Sequence, residues 1–444
     1  MPWILFLLCL TAVKATLDTQ RFFDYWTDLF RPYPKNPKEG FIFDYTPHNR
    51  EEFDFIVVEA GGNENFFSDI PIFAPFFSLT PMNWGYISMP EAKACKDLRG
   101  KVCFLPRGRV LGGSSVLNFL IYQRGHPEDY NDWARMGNAG WSYDEILPYF
   151  KKSENIGIRE LRNSTYHGIG GYMDIEYSPF HSPLEGIFRK AGEELGYKWR
   201  DPNGEKVIGF SKPQATMRKG RRCSSSKAFL EPVRFRRNLK VTKFSTATRI
   251  LIDPKTKIAT GVEFVKHDRS IQVHARHEVI LSAGTIGSAQ LLMISGVGPE
   301  EHLNELGIPT IVNLPVGYNL QDHVTFSGNA FIVNQTGITL NDAAAASPFA
   351  AAAYMASGGP LTLPGGAVGL AFTHTKYSKD RDKSRPDIEL VMGAVLIRPN
   401  SVGRLMLRSA NFLDHPKIYL NYFNDTNDLR SMVAGVRMVR IKLY

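Results

Sequence analysis

The stretch "DFIVVEAGG", residues 54–62, decides how this chain is read. "FIVV" is a run of β-branched and aromatic residues of the kind that fills a buried parallel strand. "EAGG" is an acidic residue before a tight glycine turn, as at the end of the second strand of a nucleotide-binding unit. In a dinucleotide-binding βαβ unit, strand one runs into G-x-G-x-x-G and a helix. The acidic residue that grips the ribose comes about 20 residues later. Here Val58 and Glu59 are neighbours. The sequence therefore reads as a βαβ unit with its turn, helix and second strand excised. Helix N-terminal amides and dipole are what neutralise a diphosphate, so the excision predicts a lost diphosphate seat. It also predicts apolar surface left uncovered on a parallel sheet.

Around this stretch lie 444 residues, ample for two domains at roughly 100–200 residues each. Hydrophobic content of 43% and charged content of 22% are ordinary for a globular protein. The net charge is +9, and the densest basic run is "KGRRCSSSKAFLEPVRFRRNLK", residues 219–240. It reads as solvated arginines around a buried "AFL". No zinc-finger spacing or RNA-binding signature accompanies it, which argues against a nucleic-acid partner.

The N-terminus, "MPWILFLLCLTAVKATLD", has an apolar core from Trp3 to Val13. That core is too short for a bilayer, which needs about 20 apolar residues. Val13 and Ala15 are the small residues a signal peptidase prefers, so residues 1–15 are expected to be a signal peptide and the protein secreted. In an oxidising compartment Cys95 and Cys103, which flank the turn "KDLRGKV", could close a small hairpin loop, leaving Cys223 unpaired and buried. N-x-S/T sequons at Asn163, Asn334 and Asn424 fit an extracellular protein.

The coarse pattern is α/β, of mixed α+β character. Residues 16–50 form an arm rich in Phe, Tyr and Pro. "GWSYDEILPYF" predicts a helix start, with Ser142 and Glu145 as capping box and Trp141 and Ile146 as hydrophobic staple. Ser182 with Pro183 opens another helix, which Gly196 ends. Strands are predicted at "LKVTKF", "ATRILID", "GVEFVKH", "SIQVHAR" and "EVILSAG" between residues 239 and 284. "GTIGSAQLLMISGVG" reads as turn, apolar helix and glycine stop, and the alanine-rich stretch 343–359 as a plain helix interrupted at Pro348.

The most informative segment is "PRGRVLGGSSVLNFLIYQRG", residues 106–125. Its glycines let backbone approach a ligand closely, and an apolar helix start follows. It is not the G-x-S-x-G elbow of a hydrolase. Gly108 through Asn118 resembles the first signature of the glucose-methanol-choline (GMC) family of oxidoreductases, G-[RK]-x-L-G-G-S-S-x-[LIVM]-N. "GTIGSAQLLMISGVG", residues 284–298, resembles the second, departing at Ala289. "EAGG", "PVGYNLQDH", "MNWGY", "YNDWARMGNAGWSYDEILPYF" and "RCSSSKAFLEP" are similar to the secreted insect-type branch, which acts on sugars or alcohols.

The resemblance implies FAD held by a Rossmann-like domain. Glu59 would bond the adenosine ribose, and Val241 would meet adenine through its backbone. Val110, Gly112, Gly113, Ser114 and the run Asn118, Phe119, Leu120 and Ile121 would line the isoalloxazine and pyrophosphate side. It implies a discontinuous FAD-binding domain, residues 51–175 and 215–310, with the βαβ segment missing after Val58. Residues 176–214 and 311–444 would form the substrate-binding domain. The implied reaction is oxidation of the CH–OH group of a small alcohol or sugar. Hydride passes to flavin N5, a histidine serves as base, and an electron acceptor follows. The family continues beyond "DLRSMVAGVRMVR" into the segment carrying that histidine and its partner, where this sequence reads "IKLY". No catalytic residue is therefore assigned. His126 and His167 read as surface or hydrogen-bonded residues, and His323 as a family feature away from the base. The competing expectation is a secreted non-catalytic product: a truncated isoform, a pseudoenzyme or an incomplete gene model.

Overall fold

A computed structural model describes residues 42–326, 348–380, 382–391 and 393–441. The proposed signal peptide, most of the arm and the Asn334 sequon lie outside the described residues. The sheet that carries the opening stretch has four strands: β1 (Glu51–Ile56), β2 (Ser245–Ile252), β3 (Ala259–Lys266) and β4 (Arg269–Val279). Their order is β1-β4-β3-β2. β1 and β4 pair in parallel, with Ile56 opposite Val279, while β4-β3 and β3-β2 are antiparallel. Ile56, Val262, Phe264, Ile271 and Val273 make one buried face. Burial of each such side chain stabilises by about 1.5–3 kcal/mol.

β1 departs from the buried strand that "FIVV" suggests. It is parallel, but it lies at the sheet edge. Only Ile56 is buried, while Phe55 is 56% and Val57 58% exposed. Among the described residues no further strand pairs with the free edge of β1, and Phe55, on the face opposite Ile56, is left uncovered. Two further expectations need correction. "LKVTKF" is not a ladder strand. It runs extended, and β2 begins only at Ser245, after Phe244 bends the chain with φ +50°. "SIQVHAR" and "EVILSAG" join into the single strand β4, which stops at Val279. Its parallel neighbour ends at Ile56, and the last backbone bond between them runs from Ile280 N–H to Ile56 O at 3.1 Å.

Helices follow the local signals more closely. α1 (Pro127–Arg135) is capped by His126, whose Nδ1 accepts from Glu128 N–H at 3.2 Å. α2 (Tyr143–Ser153) opens as expected, with Ser142 N–H and Oγ–H both donating to Glu145 Oε2. α3 (Pro183–Glu194) has Ser182 Oγ accepting from Leu184 N–H, and it ends before Gly196 in the left-handed region at φ +80°. α4 (Gly284–Ile294) buries Ile286 and Met293 against Tyr86, Leu105 and Ile418. The Cys95–Cys103 disulfide is formed beside this core, and Cys223 is free and buried. The alanine-rich stretch is helical over Pro348–Met355, and its upstream part lies outside the described residues.

A second, antiparallel sheet orders Val324–Phe326, Ala394–Leu396, Ile388–Leu390, Leu370–Thr373 and Gly209–Ser211. α5 (Thr426–Ile441) covers one face through Met432 against Ile388, Ala394 and Leu396. A third sheet, Glu154–Ile156, Met173–Glu176, Ala215–Arg218 and Arg221–Arg222, backs the glycine-serine segment.

Candidate functional site

Close backbone contact builds the glycine-serine segment. A Cβ on Gly108 would sit 2.2 Å from the Gly113 carbonyl carbon, and one on Gly61 would sit 2.1 Å from Arg109 O. Only glycine fits either place. Gly62 bridges Val110, and Leu111 N–H donates to Gly62 O at 2.8 Å, so "EAGG" and "RVLGG" are stitched together. Gly112 and Gly113 take φ +100° and +56°, turning the chain into a short 3₁₀ turn over Gly113–Val116. No atom lies within 4 Å of the position a Cβ on Gly113 would take, so that face of the turn is open.

Side chains then fix the turn. Ser114 Oγ accepts from Gly108 N–H at 3.0 Å. Ser225 Oγ donates to Gly112 O at 3.0 Å, and Ser115 Oγ accepts from Ser225 N–H at 2.9 Å. Behind them lies Arg222, 1% exposed. Its Nε donates to Ser68 O at 2.7 Å and its Nη1 to Ser115 O at 2.8 Å and Asn118 Oδ1 at 2.9 Å. Burial holds the guanidinium down at about 10, still charged at neutral pH. Glu64 and Asp69 stand near it with Lys227 between them. Burial pushes both carboxyls up, against the pull of that lysine.

Beyond the turn, Val110 and Leu120 are buried, Asn118 and Phe119 are exposed, and Ile121 bridges Ala215. Phe119 touches Gly365, where a Cβ would meet its ring at 2.1 Å. Leu120 is held at φ +63°, a conformation a leucine avoids. The segment ends in a buried network. Arg124 donates from Nη2 to Glu154 at 2.8 Å. His167 bonds Glu154 through Nδ1 at 3.0 Å and Asp201 through Nε2 at 2.9 Å. Burial alone would lower the His167 pKa, but the hydrogen bonds to Asp201 and Glu154 outweigh it and push it up to about 9. His126 and His167 are thus both hydrogen-bonded, as the sequence suggests.

The other end of the site is the Glu59 turn. Glu59 Oε1 accepts from Gly61 N–H at 2.6 Å, and burial pushes the carboxyl up despite that bond and Arg109. Its backbone lies beside the extended "LKVTKF" stretch, with Glu59 N–H on Thr242 O at 3.3 Å and Ser245 N–H on Glu59 O at 2.9 Å. Val241 is half-buried, and its carbonyl accepts from Tyr45 N–H at 2.9 Å. The Gly62–Val110 bridge and the Leu111–Gly62 bond therefore set the Glu59 turn against the start of the 110–121 run, with Val241 one residue from Glu59's partner Thr242.

With this geometry in view, residues 53–325 match the family described as GMC oxidoreductase. The chain belongs to that family. It is 37% identical over 417 residues to glucose dehydrogenase [FAD, quinone] of Drosophila melanogaster, covering 87% of this chain and 65% of that protein. It is 32% identical to ecdysone oxidase of Spodoptera littoralis, covering 86% of this chain and 70% of that one. Among solved structures, pyridoxine 4-oxidase from Mesorbium loti superposes with a TM-score of 0.72 at 25% identity, covering 86% of this chain and 74% of that one. GMC membership and the resemblance to glucose dehydrogenase [FAD, quinone] imply FAD as the cofactor. The chain spans less than two thirds of the length of the two Drosophila glucose dehydrogenases it matches.

The residues present fit that cofactor at two ends. The open face over Gly113 leaves room for a flat ring against backbone, and the buried carboxylate of Glu59 is an acceptor for hydroxyls. Between Ile56 and Glu59 the chain passes without a helix, so no residue there is assigned to the diphosphate. Arg222, Ser225 and Glu64 were missed as site residues by sequence reasoning. The clustered polar run "RCSSS" was the signal available for the first two.

Proposed function

We propose that this chain is an FAD-dependent oxidoreductase acting on the CH–OH group of alcohols or sugars, in a secreted setting. One observation carries the reading: the open, glycine-built turn Gly112–Ser114, locked from behind and continuous with an exposed Asn118. Bound FAD supplies the hydride acceptor, its N5. The protein's share is position. Glu59 would hold the ribose hydroxyls, Val241 would meet the adenine, and Val110, Gly112, Gly113, Ser114 and Asn118–Ile121 would line the flavin side. The second sheet, drawing strands from residues 176–214 and 311–444, would face substrate. Secretion is supported by the formed Cys95–Cys103 disulfide and the exposed sequons at Asn163 and Asn424. Among the described residues no helix is long and apolar enough to cross a membrane.

The test is reconstitution. Apoprotein titrated with FAD is expected to quench flavin fluorescence saturably at one equivalent. Anaerobic addition of a panel of sugars and primary alcohols is expected to bleach the bound flavin's visible bands. Absence of saturable quenching removes the cofactor from the reading, and quenching without bleaching by any panel member removes the CH–OH chemistry.

A further inference from the structure

Asn118 has one acceptor atom and one two-hydrogen donor on its carboxamide. Two N–H groups converge on the acceptor: Leu120 N–H at 3.1 Å and Arg222 Nη1 at 2.9 Å. The flipped amide would set donor against donor at both contacts, so this orientation is fixed by its neighbours. Nδ2 is thereby turned away from Arg222 and has no partner among the described residues, on a residue that is exposed. A second observation marks the same spot. Leu120 is strained in the left-handed region, pinned by Asn118 Oδ1 on its N–H and by Thr216 N–H on its carbonyl at 2.9 Å. Strain of this kind persists where surrounding structure over-determines it, and it clusters at ligand clamps. Arg222 itself is rigid, with Ser68 O and Ser115 O holding the guanidinium plane, and it reaches Asn118 from 104 residues away in the chain.

We propose that Arg222 is a positioning residue: by holding Asn118 Oδ1 it sets the carboxamide so that its Nδ2 donors face the open side of the Gly112–Asn118 turn, toward an acceptor atom of the flavin ring. The proposal rests on the flavin reading above. Arg222 need not touch the cofactor, and its effect passes through Asn118.

Apoprotein titrated with FAD and followed by fluorescence quenching tests this. Asn118→Ala is expected to raise Kd about tenfold, the worth of one hydrogen bond. Arg222→Met is expected to lose about as much, and Arg222→Lys less, since it keeps the charge but not the planar fork. The double variant Arg222→Met/Asn118→Ala is expected to bind no worse than the weaker single variant, because both remove one interaction. Asn118→Asp, which leaves Arg222 its partner but replaces the outward donor with an acceptor, is expected to bind FAD more weakly than Asn118→Ala. Additive losses near a hundredfold in the double variant, or Asn118→Asp binding as tightly as the natural chain, overturn the role of Arg222. If Arg222→Met fails to fold, Arg222→Lys and its double variant with Asn118→Ala take its place in the same comparison: a loss in Arg222→Lys that vanishes on the Asn118→Ala background supports the role, and an additive loss overturns it. Natural chain that quenches no FAD overturns the flavin reading, and this proposal with it.

Discussion

Residues 106–125 and residues 55–62 come from the two halves of one expected cofactor site, and they are held in opposite ways. The first segment is over-determined. Gly108 sits against Gly113, three serines and a buried arginine fix the turn, and the Arg124–Glu154–His167–Asp201 chain anchors its end. The second is stitched to the first at Gly61 and Gly62, but its strand depends on neighbours. Phe55 and Val57 are more than half exposed, and β1 ends a sheet instead of lying inside one. A segment clamped by its own backbone and by distant polar side chains keeps its shape when a layer is removed. A strand whose side chains were patterned for flanking layers does not stay covered.

The largest test of this contrast compares two glycines. Gly108→Ala puts a Cβ at 2.2 Å from backbone that cannot move without opening the turn. A loss of about 3 kcal/mol or more in urea unfolding is expected. Gly62→Ala first meets the ring of Phe244, at 2.5 Å, the far end of a side chain on a residue that is 54% exposed and can swing. Its cost is expected to stay below about 1 kcal/mol. Equal losses at the two positions would break the distinction between clamped and frayed.

His167 sharpens it through pH. Its ring has an ordinary pKa of 6.5 in the unfolded chain and about 9 in the folded one. The folded state binds the proton more tightly, so the stabilisation is whole below pH 6.5 and is lost as pH rises through 9. His167→Gln keeps shape without the charge, and it is expected to cost about 2 kcal/mol at pH 6 and progressively less toward pH 9. Unfolding midpoints across that range, natural chain against variant, should converge. Parallel curves would show that the ring is neutral in the fold.

Local chemistry made part of this legible in the sequence. The Ser142–Glu145 cap, the Ser182–Pro183 start and the Cys95–Cys103 closure each depend on residues within one short stretch, and each formed. The glycines of "GRVLGGSS" read from sequence as letting backbone approach a ligand; what the structure shows is Gly108 packed against Gly113 and an open face over Gly113. What stayed hidden depends on distance. Nothing near Asn118 in the chain points to Arg222, and nothing near Arg124 points to His167 and Asp201. "LKVTKF" has the composition of a strand, but strand assignment needs a partner of matching length, and the Glu59 turn offers only a few backbone bonds. The Glu59 carboxylate, expected to face a ribose, bonds its own turn at Gly61, a choice no residue pattern specifies.

The smallest effect is the most specific to the edge. Within β1 and the residue after it, Ile56 is 5% exposed while Val57 is 58% exposed. Ile56→Ala removes buried methylenes from the contact with Val262 and Phe264 and is expected to cost about 2 kcal/mol or more. Val57→Lys replaces a side chain that is more than half exposed among the described residues, so its stability change is expected within about 0.5 kcal/mol of zero. Its visible consequence should be in association, because a charged residue on an exposed edge blocks pairing with another chain. Light scattering of concentrated protein should fall in Val57→Lys while the urea midpoint stays put. If Val57→Lys instead unfolds the protein as Ile56→Ala does, some part of the chain outside the described residues covers that edge, and the contrast between the two regions narrows to the diphosphate seat alone.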